Sequence, residues 1–151
     1  MSLYLILKWL HVLLAIAAVG TNLTYGVWLG RASREAGALP FALRGVKLLD
    51  DRIANPSYAL LLVTGLALLY VGGWPITTPW ILLALVLYAV LLLVGLLGYT
   101  PTLREQIRLA EASDPAGPAY QAVARRGTSI GTGLAVVVVV IVFLMVTKPG
   151  S

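Results

Sequence analysis

Polar residues are so sparse along this chain that it divides into four long apolar stretches, at residues 3–29, 58–71, 80–99 and 130–146. The first carries Lys8 and His11 as its only basic groups. A helix needs roughly 20 apolar residues to cross the hydrocarbon core, and each stretch approaches that length once flanking Gly, Thr and Trp are counted. Strands are excluded, because no stretch alternates in polarity and an open sheet edge cannot sit in lipid. The pattern therefore predicts an all-α fold: a transmembrane four-helix bundle forming one domain over residues 1–151, with spans at 5–29, 56–73, 79–99 and 128–147.

Turn chemistry sets the expected boundaries. Asn55-Pro56-Ser57 reads as a helix start, with Asn55 as cap and proline in the first turn. Gly72-Gly73-Trp74-Pro75 ends that helix, and Thr78-Pro79-Trp80 starts the third by the same logic, leaving a tight turn. Thr100-Pro101 interrupts the third helix, with residues 103–112 continuing as helix beyond the membrane. The run from Asp114 to Pro118 is a break. Lys8 ahead of Ala15-Ile16-Ala17-Ala18 imitates a secretory signal, but the run is read as a retained span.

Composition agrees with the pattern: 60% of residues are hydrophobic and 11% charged, against about 25% charged in soluble domains. The net charge is +5, yet nucleic acid is excluded as a partner, because the basic residues flank apolar spans and form no stripe on a soluble face. Arg31, Arg34, Arg44, Lys47 and Arg52 fall between the first two spans, and Arg104, Arg108, Arg125 and Arg126 between the last two. Only Lys8 and Lys148 lie on the other side. The positive-inside rule then makes both long loops cytoplasmic and turns both termini outward. Shared basic ends also suggest a duplicated hairpin, although any two cytoplasmic hairpins would share them. The chain has no cysteine, which removes disulfides, thiolate metal sites and covalent haem attachment.

His11, the single histidine, lies inside the first span, where an ionisable group is costly and a functional candidate by default. On a helix, His11, Ala15, Ala18, Asn22 and Tyr25 share one face. That stripe offers an imidazole able to ligate haem iron, two small residues where a flat macrocycle could approach, and polar groups further in. Lys8, one turn away, could pair with a propionate. The competing reading is a neutral, hydrogen-bonded His11 with Lys8 snorkelling to water. Gly26-x-x-x-Gly30 and Gly127-x-x-x-Gly131 permit close helix approach, joining helix 1 to helix 4 or one protomer to another. Tyr58, Gly65 and Gly72 share a face suited to bundle packing, as do Tyr88, Gly95 and Tyr99. No acidic residue lies within a span, which argues against a carboxylate relay, and Asp50 and Asp51 beside Arg52 read as a solvated helix-end cluster.

Leu7-Lys8-Trp9-Leu10-His11-Val12, followed by Tyr25 and Arg31, resembles helix 1 of small bacterial membrane proteins related to the copper-resistance D protein. It also resembles the haem-binding protoporphyrinogen oxidase of bacteria, in which a comparable helix 1 histidine holds a b-type haem. Asp51-Arg52-Ile53-Ala54-Asn55-Pro56 is similar to that family's entry into its second span. The whole four-span layout resembles bacterial integral membrane proteins of unknown function. The resemblance implies an inner-membrane, multi-pass protein with His11 as haem-iron ligand on a face that includes Lys8, Asn22 and Tyr25. It stops short of porphyrinogen oxidation, because the oxidase family's lysine and histidine types in the third span have no counterpart between Trp80 and Tyr99. The expected function is thus b-type haem binding or a redox-associated role, and the alternative is a non-catalytic accessory or scaffold subunit. The partners expected are the lipid bilayer and a homo-oligomer or larger membrane complex.

Overall fold

The computed structural model describes residues 2–112 and 117–150. The chain forms α1 (Leu3–Ala32), α2 (Leu39–Leu49), α3 (Asn55–Gly72), α4 (Pro79–Val94), α5 (Thr100–Ala112) and α6 (Pro118–Thr147). A π-helical turn, Asp50–Ala54, fuses α2 to α3, and a second, Gly95–Tyr99, fuses α4 to α5. Four long helices result: Leu3–Ala32, Leu39–Gly72, Pro79–Ala112 and Pro118–Thr147, each long and apolar enough to cross a membrane. The fold is all-α, as the apolar pattern predicts. The Asp114–Pro118 break lies mostly outside the described residues, and α6 begins at Pro118 after Gly117.

Two expectations need correction. The stretches expected as long loops are largely helical, and neither Pro56 nor Pro101 breaks its helix. A proline inside an α-helix clashes with the carbonyl four residues back: Arg52 for Pro56, Leu97 for Pro101. Both carbonyls lie in the π turns, where bonding runs i→i+5, as in Asn55 N–H to the Asp50 carbonyl and Thr100 N–H to the Gly95 carbonyl. We attribute both wide turns to the ring that follows. Asn55 is accordingly no cap, and its backbone is helical.

The 34-residue helix Leu39–Gly72 is about 51 Å long at 1.5 Å per residue, well beyond the roughly 30 Å hydrocarbon core. The excess forms a collar at the arginine-rich end. There Leu39, Leu43 and Val46, at helical spacing on α2, bury against Leu103 and Ala110 of α5, Tyr120 of α6, and Tyr25 and Ala32 of α1. Leu43, Leu103 and Val46 are the largest fully buried side chains among the described residues. A second cluster in the spans joins Ala18, Ala54, Tyr58, Leu61, Leu91 and Ile141. Outward-facing span residues such as Val27, Leu97 and Val146 stay exposed, as lipid contact requires.

In the spans α1 packs on α3 and α4 on α6. Tyr88 ties the two pairs together: its hydroxyl donates to the Tyr58 carbonyl, and the rings meet edge to face with centroids 6.5 Å apart. At the opposite end from the collar, Gly73 adopts φ 67° to close α3. Trp74 and Trp80 pack edge to face, and the Lys148 ammonium lies 5.1 Å and 5.9 Å from their ring centroids. Both termini thus share an end with the α3–α4 turn. Gly127 and Gly131 pack against Thr102, Gln106 and Tyr99, so that motif seats α6 on its own hairpin partner. Gly26 and Gly30 meet nothing within 4 Å.

Candidate functional site

The inward face of α1 carries the candidate residues, because steps of three and four keep them on one stripe. His11 is half-buried at the end near the termini. Its Nδ1 lies 2.8 Å from Thr64 Oγ1 on α3. Gly65 leaves room for the ring, since a β-carbon there would sit only 3.3 Å from Cε1. Thr64 Oγ1 is also 2.8 Å from the Leu60 carbonyl and 3.2 Å from that of Leu61. Carbonyls only accept, and a hydroxyl has one proton to give. The direction of the His11–Thr64 bond follows the ring tautomer: with hydrogen on Nδ1, Thr64 accepts from His11 while donating to its own helix, and the lone pair stays on Nε2.

Further along α1, Asn22 Nδ2 donates to the Tyr58 hydroxyl at 2.8 Å, while Asn22 Oδ1 is buried without a partner among the described residues. Reversing the amide would exchange the two atoms and still leave one unpaired. The Trp80 indole N–H is likewise buried and unpaired. Near the collar, the Tyr25 hydroxyl lies 3.4 Å from Asp50 Oδ1, and Asn55 Nδ2 donates to Asp50 Oδ2 at 3.2 Å.

The structure brings His11, Asn22 and Tyr25 onto α3 and the π turn before it through three separate hydrogen-bonded pairs. It does not add Lys8, whose side chain is exposed. Asp50 and Asp51 do not form one solvated cluster. Asp51 is exposed and paired with Lys47, whereas Asp50 retains 6% exposure. Sequence reasoning missed Thr64, Tyr58 and Asp50 as partners. The signal for Thr64 and Tyr58 was the Tyr58–Gly65–Gly72 face, which turns toward α1. Among the described residues no group of three or more His, Asp or Glu side chains could hold a metal ion.

A family model described as "Predicted integral membrane protein (DUF2269)" matches residues 5–149. No match emerged from comparison with curated proteins or with solved structures.

Proposed function

The chain belongs to the DUF2269 family of integral membrane proteins, and from that premise we propose that His11 supplies an axial ligand to a b-type haem held in the membrane. The observation that supports the reading is the Leu60–Thr64–His11 relay. Metal-bound histidines almost always donate the second ring N–H to an oxygen acceptor, which fixes the tautomer and orients the ring. Thr64 can serve as such an acceptor in the tautomer with hydrogen on Nδ1, and Nε2 would then offer iron its lone pair. Bound haem would supply one-electron chemistry. Lys8, exposed one turn nearer the end of α1, would pair with a propionate.

Asn22 and Tyr25 fit this group less well. Eleven residues of α1 put Asn22 about 16 Å along the axis from His11, and both side chains are engaged with groups of the neighbouring helix. The haem face narrows to His11 and Lys8. Detergent-purified protein should show a Soret band that His11→Ala abolishes. A band that survives His11→Ala unchanged, or none in protein purified with haem supplied, overturns the reading.

A second reading, an accessory or scaffold subunit, is favoured by the open Gly26-x-x-x-Gly30 face beside exposed Leu23 and Val27. Its mark would be a stoichiometric membrane partner lost on Gly26→Leu. For orientation, nine of the eleven lysines and arginines sit at the collar end, which supports a cytoplasmic collar and outward termini.

A further inference from the structure

We infer that Asp50, held between Tyr25 of α1 and Asn55 of α3, is a proton-binding site whose carboxyl takes up and releases a proton at the collar end of the bundle. The inference is independent of the haem reading.

Asp50 precedes the apolar span of its helix and is followed by exposed Asp51 and Arg52. Its own carboxyl nevertheless faces inward, at 6% exposure. The adjacent acids are served differently. Lys47, the basic side chain one turn back, gives its ammonium to both oxygens of Asp51. Among the described residues the hydrogen-bond donors to Asp50 are neutral, the Tyr25 hydroxyl at 3.4 Å and the Asn55 amide at 3.2 Å, and Lys47, though near enough to favour its charged form, is bonded to Asp51. A buried carboxylate without a cation of its own is poorly repaid for its lost hydration, and a proton relieves that cost. Burial pushes the Asp50 carboxyl up, against the pull of the Asn55 hydrogen bond.

The π turn builds the site. Asn55 N–H bonds the Asp50 carbonyl, and the same i→i+5 closure brings the Asn55 side chain over the Asp50 carboxyl. Such turns gather at functional positions. The groups around Asp50 are Tyr25 from α1, Lys47 from α2, Asp51 and Arg52 on its own turn, Tyr58 from α3, and Tyr99 from the π turn after α4. Tyrosines ordinarily ionise only near pH 10, and Lys47 and Asp51 neutralise one another. Asp50 is the buried member whose charge a proton removes. In the step itself, hydronium gives its proton to the carboxylate and leaves as water. The new O–H then donates to the Tyr25 oxygen, which reverses that hydrogen bond.

The polar seam continues inward to Asn22 and Tyr58, beyond which Ala18 is fully buried in the apolar cluster that also holds Leu61.

The chain has three aspartates, Asp50, Asp51 and Asp114, so carboxyl-13C aspartate in the full-length protein in nanodiscs gives a resolvable NMR titration. One resonance should bind its proton more tightly than the other two, persist in Asp51→Asn and Asp114→Asn, vanish in Asp50→Asn, and change its midpoint in Tyr25→Phe. If Asp50→Asn does not fold, the other two variants still assign the resonance by elimination. Three resonances titrating together, or a tight one that disappears with Asp51 or Asp114, would overturn the inference.

Discussion

The imidazole of His11 rests against the bare Cα of Gly65, where a methyl group would come within 3.3 Å of Cε1. A side chain at that position pushes the ring off α3 and breaks the contact with Thr64. Gly65→Val should therefore lower stability by about 1–3 kcal/mol, the usual cost of overpacking, and reduce any haem content with it. Thermal unfolding and pigment per mole of purified protein measure the two effects together.

In the proposed haem site Thr64 would act on iron only through His11, so its removal should weaken haem binding without eliminating it. Thr64→Val keeps the shape and deletes the acceptor. An affinity loss of about 10–100-fold is expected, read by haem titration of the apoprotein, while Thr64→Ser should retain most of the affinity.

The α1–α3 seam depends on the Asn22–Tyr58 pair for its middle rung. Tyr58→Phe leaves the Asn22 amide with no partner at all and should cost about 1–3 kcal/mol. Adding Asn22→Ala should cost less than the two single changes summed, because the second substitution removes the stranded group. A double-mutant cycle by thermal or denaturant unfolding in detergent checks the sign of the coupling.

The four-helix fold was legible because lipid forces each apolar stretch to satisfy its backbone internally. The collar was not, since Leu39, Leu43 and Val46 are interleaved with Arg44 and Lys47, and charge disguised an amphipathic helix as a loop. Pro56 and Pro101 misled for a related reason: proline marks a boundary in an α-helix but can be accommodated by a wider turn. At the site, spacing alone placed His11, Asn22 and Tyr25 on one stripe of α1. Their partners stayed hidden because the antiparallel register that sets 11 beside 64 and 22 beside 58 is a property of two helices together. Asp50 looked like Asp51 for want of any local difference in sequence.

The glycine motifs differ in what surrounds them. A methyl on Gly127 would come within 2.9 Å of Gln106 Oε1 and 3.5 Å of Thr102 Cγ2, whereas Gly26 has open space. Gly127→Val should destabilise the protein by about 1–3 kcal/mol, and Gly26→Val should change stability by no more than about 0.5 kcal/mol. Unfolding of the two variants side by side tests the difference.

Orientation can be read with single cysteines, since the chain has none of its own. Ser33 and Thr77 are exposed at opposite ends of the bundle. A membrane-impermeant maleimide on intact cells should label Thr77→Cys and spare Ser33→Cys until the membrane is opened. The reverse result would invert the protein in the bilayer.

The π turns give each long central helix a rotational offset at the rim of the membrane. An α-helix advances about 100° per residue, so the additional residue in Asp50–Ala54 lets a single rod aim Leu43 and Val46 at α5 below and Tyr58 and Leu61 at α1 and α4 above. Insertions and deletions on either side of that joint are consequently unequal. One residue lost from the α1–α2 connection only shortens a link, whereas one lost between Asp50 and Ala54 would close the wide turn to an ordinary α turn and set the Pro56 ring against the carbonyl one turn back.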